Sequence, residues 1–212
     1  MARAPLPPLP PLPAAIEAEA RPGGRSVLDV LGAEHRALAS LCGRVAGSRS
    51  PGRAAGPAGR PAPVIVSALV AMLSGHLSAE EQYLYPTVRA VLPDGAELAD
   101  AEIAADAAIQ YALREVASGA DPSIVEPLLR KHIRRCEDEL LPRLSAALDE
   151  TELVRLGNRV VIAEEAAPTR PHPGTPFRPP WNKLVEPVVG VLDKVRDVAT
   201  GRATRIEDVV ER

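Results

Sequence analysis

An eleven-residue phrase occurs twice in this chain, 56 residues apart: H-L-S-A-E-E-Q-Y-L-Y-P from His76 to Pro86, and H-I-R-R-C-E-D-E-L-L-P from His132 to Pro142. The His, the second Glu, the Leu and the Pro fall in register, but the fifth position is Glu80 in the first copy and Cys136 in the second. A His with a carboxylate four residues later puts two coordinating groups on one face of an α-helix. The repeat thus demands two helices with matching coordinating faces, and it marks an alteration at that same point.

Apolar periodicity places these phrases among four helical stretches, each with an inward stripe spaced three and four residues apart. The first opens at Ser26, an N-cap with Asp29 three residues on, and its stripe runs Leu28, Leu31, His35, Leu38, Cys42, Val45. The second begins near Pro63 and carries Val66, Leu69, Leu73, His76, Glu80, Tyr83. After a Pro93–Gly95 break the third carries Glu102, Asp106, Ile109, Leu113, Val116 and closes at Gly119. The fourth opens at Ser123, with Glu126 placed for a capping box, and carries Val125, Leu129, His132, Cys136, Leu140. A shorter fifth segment, about 152–165, offers Leu153, Leu156, Val160 and Val161. Pro86 and Pro142 fall inside helical patterns, so each is expected to kink or end its helix. The fold class read from this is all-α: an up-down four-helix bundle with a short fifth helix and proline-rich tails.

The domain reading is a Pro-rich N-terminal tail over 1–25, the bundle over 26–167, and a Pro-rich linker with a C-terminal amphipathic helix over 168–212. Aromatic residues make up only 2% of the chain, which favours closely packed aliphatic helices over a sheet. A net charge of −3 gives no reason to expect nucleic acid or an anionic membrane as partner. With no uninterrupted apolar run of membrane-spanning length and a proline-broken N-terminus, neither a transmembrane helix nor a signal peptide is expected, and the location read is cytoplasmic. The two cysteines, Cys42 and Cys136, fall on opposite sides of the histidine level and are expected to stay unpaired.

The chemistry lies in polar groups planted on those stripes: His35, His76, Glu80, Glu102, Asp106, His132 and Cys136. A buried carboxylate or imidazole without a partner costs several kcal/mol or neutralises by shifting its pKa. One such residue is ordinary in a core; seven on four inner stripes are tolerated if a cation gathers them. The other reading is a purely hydrogen-bonded polar core. Histidine with carboxylate suits iron, manganese or zinc. For two divalent ions, Glu80, Glu102, Asp106 and a Cys136 thiolate would supply the negative charge. Cys136 itself has three readings: a small buried residue in an altered half-site, a thiolate ligand, or a redox-active thiol. Glu81 and Glu137 sit off the ligand face, where solvated or outer roles are expected; Glu139 could reach inward, Tyr83 could bond a site oxygen, and His172 lies in the linker.

These residues resemble the hemerythrin-like, or HHE cation-binding, domain family. The resemblance rests on His35 within A-E-H-R-A-L, on His76 and Glu80 in the first phrase, and on His132 in the second, and spans roughly 26–148. The tail E-A-A-P-T-R-P-H-P-G-T-P also resembles tails of actinobacterial members. The resemblance implies a four-helix bundle around a non-heme di-iron site whose members bind dioxygen or nitric oxide, sense oxygen or iron, store iron, or decompose peroxide. Two positions depart from it: Asp106 stands where a histidine is expected, and Cys136 where a bridging carboxylate is expected. The implied cofactor is non-heme iron, as one or two ions, with zinc or manganese as alternatives. The implied ligands are dioxygen, nitric oxide or peroxide, and the tails offer a place for a protein partner. An iron oxidase or peroxidase acting on a small molecule, and a metal-poor interaction module, remain as alternative readings.

Overall fold

The computed structural model describes residues 23–47 and 63–166, and these form five helices. They are α1 (Val27–Gly47), α2 (Pro63–Val91), α3 (Gly95–Ala117), α4 (125–147) and α5 (Glu150–Ala166). Helices α1 to α4 close a ring, each packing on its sequence neighbour and α4 returning to α1, while α5 lies across α1 and α2. The tails assigned to 1–25 and 168–212 lie outside the described residues, apart from a short exposed lead-in at 23–25.

Local chemistry explains the ends. Ser26 Oγ accepts from the Asp29 N–H at 3.2 Å and donates to the Asp29 carboxylate at 2.9 Å, fixing the start of α1. At the end of α3, Gly119 takes φ +104° and the N–H of Ala120 donates to the Glu115 carbonyl at 2.9 Å, which satisfies a terminal acceptor. The fourth helix departs from expectation at its start. Asp121, not Ser123, is the cap: its side chain accepts from the Ser123 N–H at 2.9 Å, a 3-10 turn occupies Pro122–Ile124, and α4 begins at Val125. Pro122 favours that tight entry because it has no N–H to satisfy. A reciprocal box also opens α5, with Asp149 and Glu152 each accepting from the other's N–H.

Two π turns are the main irregularity. Helix α2 widens over Glu80–Leu84 and α4 over Cys136–Leu140, where Tyr85 N–H bonds Glu80 O and Leu141 N–H bonds Cys136 O, five residues back. Each π turn ends just short of the proline of the repeated phrase. A proline lacks an N–H and its ring crowds the carbonyl four residues back. Widening the preceding turn relieves that conflict, so the helices run through Pro86 and Pro142 rather than stopping there. The extra residue also rotates the downstream turns. Tyr85, not Tyr83, faces inward and is 1% exposed, while Tyr83 is half-buried.

Helix α2 is packed by α1, α3 and α5 and is buried almost continuously from Ala68 to Tyr85. That explains its composition: over Pro63–Val91 it is long and apolar enough, by length and composition, to cross a membrane, although polar residues interrupt its apolar run. Its most apolar window is 67% buried inside the bundle. On α5, Leu153, Leu156 and Val160 face the core, but Val161 is 40% exposed, because Ala163 takes the next inward place.

The core is in two parts. One cluster holds Leu31, Leu84, Ala99 and Leu140; the other holds Leu38, Leu73, Ile109 and Leu129. Along every helix of the ring the polar stripe residues fall between the two: His35 between Leu31 and Leu38, His76 and Glu80 between Leu73 and Leu84, Asp106 between Ala99 and Ile109, and His132 between Leu129 and Leu140.

The turn between α2 and α3 yields a stability test. A Cβ on Gly95 would stand 2.0 Å from the Val88 carbonyl oxygen, whereas one on Gly43 meets nothing within 4 Å. Gly95→Ala is expected to destabilise by about 1–3 kcal/mol through overpacking, and Gly43→Ala to stabilise by up to about 1 kcal/mol through helix propensity. Thermal melts of the two variants give the comparison; equal melting temperatures would contradict the close approach at Gly95.

Candidate metal centre

The polar layer gathers side chains from four helices. One ligand atom each from His35 (α1), His76 and Glu80 (α2) and His132 (α4) lies within 4.8 Å of the other three, and all four residues are buried. The three rings meet edge to face, with centroids 5.0, 5.6 and 5.4 Å apart. Repeated helical spacing explains the meeting: each His sits mid-helix between Leu or Val turns, and the ring of packed helices brings those levels together.

Each imidazole is held from behind by a carboxylate. His35 Nδ1 lies 2.9 Å from Glu137, His76 Nδ1 lies 2.9 Å from Glu34, and His132 Nδ1 lies 3.1 Å from Asp106. A ring nitrogen against a carboxylate carries the proton and donates it, which leaves each Nε2 as a lone-pair donor. Those three lone pairs are aimed inward. His76 Nε2 lies 3.2 Å from His132 Nε2, and His35 Nε2 is buried with no hydrogen-bond partner. Glu80 completes the set, with Oε1 at 3.6 Å from His76 Nε2 and Oε2 at 3.4 Å from His132 Nε2. Two facing nitrogen lone pairs and a third without a partner are unfavourable unless a proton or a cation lies among them.

The other stripe residues singled out in the sequence sit around this group. Asp106 holds His132 and also accepts from the Tyr85 hydroxyl at 2.6 Å; the same hydroxyl lies 3.0 Å from Glu80 Oε2. Glu102 is paired with Arg135 at 2.7 Å. Cys136 is buried, with Sγ 3.9 Å from Glu80 Oε1, a weak contact. Both cysteines are free, in keeping with their separation along the bundle. Glu139 lies on the exposed face. Glu81, expected off the ligand face, is buried at 2% exposure because the π turn widens the helix there.

Four participants escape a reading of the sequence: Tyr85, Glu34, Glu164 and Arg135. The prolines carry a signal for Tyr85, since a proline inside a continuing apolar pattern points to an irregular turn and a shift of phase. Glu34 and Arg135 each adjoin a stripe residue, and Glu164 belongs to the last turn of α5, so only packing shows what they touch. Glu34, His76 and Glu164 form a second group of donor atoms within 4.8 Å of one another, on the outer side of His76.

Electrostatics track the burial. Desolvation, reinforced by the neighbouring imidazoles, holds His35 down to about 2, so it is neutral. Burial also works against charge on His76 and His132, but the Glu80 carboxylate and the flanking acids outweigh it and raise both above the usual imidazole range. Burial raises Glu80 and pushes Glu164 up to about 8, while Glu34 is held below its usual value, so the Glu34–Glu164 pair retains a proton near neutrality. Burial and the surrounding carboxylates raise the Cys136 thiol well above its usual value, which keeps it a thiol.

Protons on His76 and His132 thus hold the place a cation would take. Lower pH favours the protons, so cation affinity falls as pH falls, and uptake releases protons. Calorimetry in buffers of different ionisation enthalpy measures that release. Removing an outer carboxylate should also weaken binding while the bundle stays folded. Glu137→Gln is expected to lower affinity about 10–100-fold, the usual range for such partners, as read by competition with a chelator.

The family model described as the hemerythrin HHE cation binding domain matches residues 26–144, more than half of the chain. Neither the curated proteins nor the solved structures yield a match. The matched span runs from the cap of α1 into the last turn of α4 and includes all four residues of the buried histidine–glutamate group. The chain belongs to the hemerythrin HHE cation-binding domain family.

Proposed function

We propose that this protein is a hemerythrin-like non-heme iron-binding protein that handles dioxygen, nitric oxide or peroxide inside its helical bundle. The observation that carries the reading is the inward convergence of three imidazole Nε2 atoms, one without any partner, on a buried carboxylate. Bound iron would supply a redox-active Lewis acid with coordination positions left open by so few protein donors. The chain's own residues do the rest. His35, His76, His132 and Glu80 bind; Glu137, Glu34 and Asp106 fix ring orientation and tautomer; the apolar clusters on either side keep bulk water away. Tyr85 can offer a proton to Glu80 or Asp106, one at a time, since it has a single hydroxyl hydrogen.

Protein purified without chelator and reconstituted with Fe(II) in the absence of air tests this. The expected result is retained iron, and an optical change on mixing with dioxygen, nitric oxide or peroxide. Iron that is retained but inert to all three overturns the small-ligand reading. His76→Ala is expected to abolish retention and to remove the melting-temperature gain on metal addition, which for ion at 100 times its Kd corresponds to about 2.7 kcal/mol. Unchanged metal content and melting temperature in that variant would overturn the site.

A further inference from the structure

We infer that this centre holds one divalent cation, gathered by His35, His76, His132 and the Glu80 carboxylate, rather than a pair of bridged ions. The inference rests on the cation-binding reading of the same site and concerns the number of ions it is built for.

The first argument is the spacing of the donors. Four ligands at about 2.0–2.1 Å from a single tetrahedral ion lie about 3.3–3.4 Å from one another. Here His76 Nε2 and His132 Nε2 are 3.2 Å apart; Glu80 reaches them with different oxygens, Oε1 at 3.6 Å from His76 Nε2 and Oε2 at 3.4 Å from His132 Nε2, and the donor atoms of all four residues lie within 4.8 Å of one another. The two imidazole nitrogens are thus spaced as ligands of a single ion. His76 and His132 come from the two copies of the repeated phrase, yet they aim at one point.

The second argument is that the groups a second ion would need are already engaged. The Asp106 carboxylate spends one oxygen on His132 Nδ1 and the other on the Tyr85 hydroxyl. Glu102 is neutralised by the Arg135 guanidinium, a fixed cation on that side of the site. Cys136 places a weakly engaged sulfur beside Glu80, where the fifth position of the first phrase has a carboxylate. Glu137 faces the outer nitrogen of His35, with a side chain 41% exposed. Asp106 is therefore a positioning residue for His132, as Glu137 is for His35.

The test is titration of metal-free, full-length protein with Co(II), monitored by visible absorption and by elemental analysis after gel filtration. Fe(II) under exclusion of air is the second probe. The expected end point is one ion per chain for both. A second bound equivalent of either ion overturns the inference while leaving the cation-binding reading intact. No binding of either ion overturns both. Asp106→Asn separates the roles further: a positioning residue predicts one ion per chain with affinity about 10–100-fold lower. A fall from two ions to one in that variant identifies Asp106 as a ligand and overturns the inference. Helix content by circular dichroism confirms that the variant is folded.

Discussion

The bundle is organised around a conflict between burial and charge. A layer of imidazoles and carboxylates cuts across the aliphatic interior, and the apolar residues form one cluster on each side of it. Such a layer is costly if any member lacks a partner. The structure meets that cost on the outer side of each ring with a carboxylate, so that Nδ1 is satisfied three times over. On the inner side it leaves the nitrogens facing one another. A folded chain that satisfies one side of every site histidine and leaves the other side converging is arranged for a cation, and the family to which the chain belongs binds cations.

The π turns connect this layer to the sequence. Each begins four residues after a histidine of the repeated phrase and ends just short of its proline, so local covalent chemistry and site geometry have the same origin. In α2 the wide turn begins at Glu80, lets Glu81 become buried, and swings Tyr85 back over the Glu80 and Asp106 carboxylates. In α4 it begins at Cys136 and allows Glu137, five residues from His132, to reach His35 on a different helix. A straight α-helix would place Tyr83 and Glu139 nearer the interior. The widened turns instead give those places to Tyr85 and to no acid at all, since Glu139 is exposed.

Helix α5 lies outside the matched family span, yet it touches the site. It covers α1 and α2, and its last turn brings Glu164 to 3.8 Å from His76 Nδ1, beside Glu34. The two acids share a proton, because burial disfavours two adjacent charges. Around His76 the chain has thus added an acidic outer layer from a segment beyond the four-helix ring.

The sequence by itself determined the helices, their inward stripes and the histidines, because 3.6-residue periodicity is a local property and a polar residue within an apolar stripe is visible without coordinates. It also made His35, His76, Glu80 and His132 candidates for one centre, since mid-helix positions of packed neighbours share a level. Only the tertiary structure decided which acids stand behind which ring, that Glu102 is paired to Arg135, and that Asp106 is engaged by both His132 and Tyr85. Those pairings depend on helix rotation, and a single extra residue in a turn rotates everything beyond it by a large angle. Periodicity fixes which face is buried; the contacts between faces are set by packing across the bundle, which no local spacing encodes.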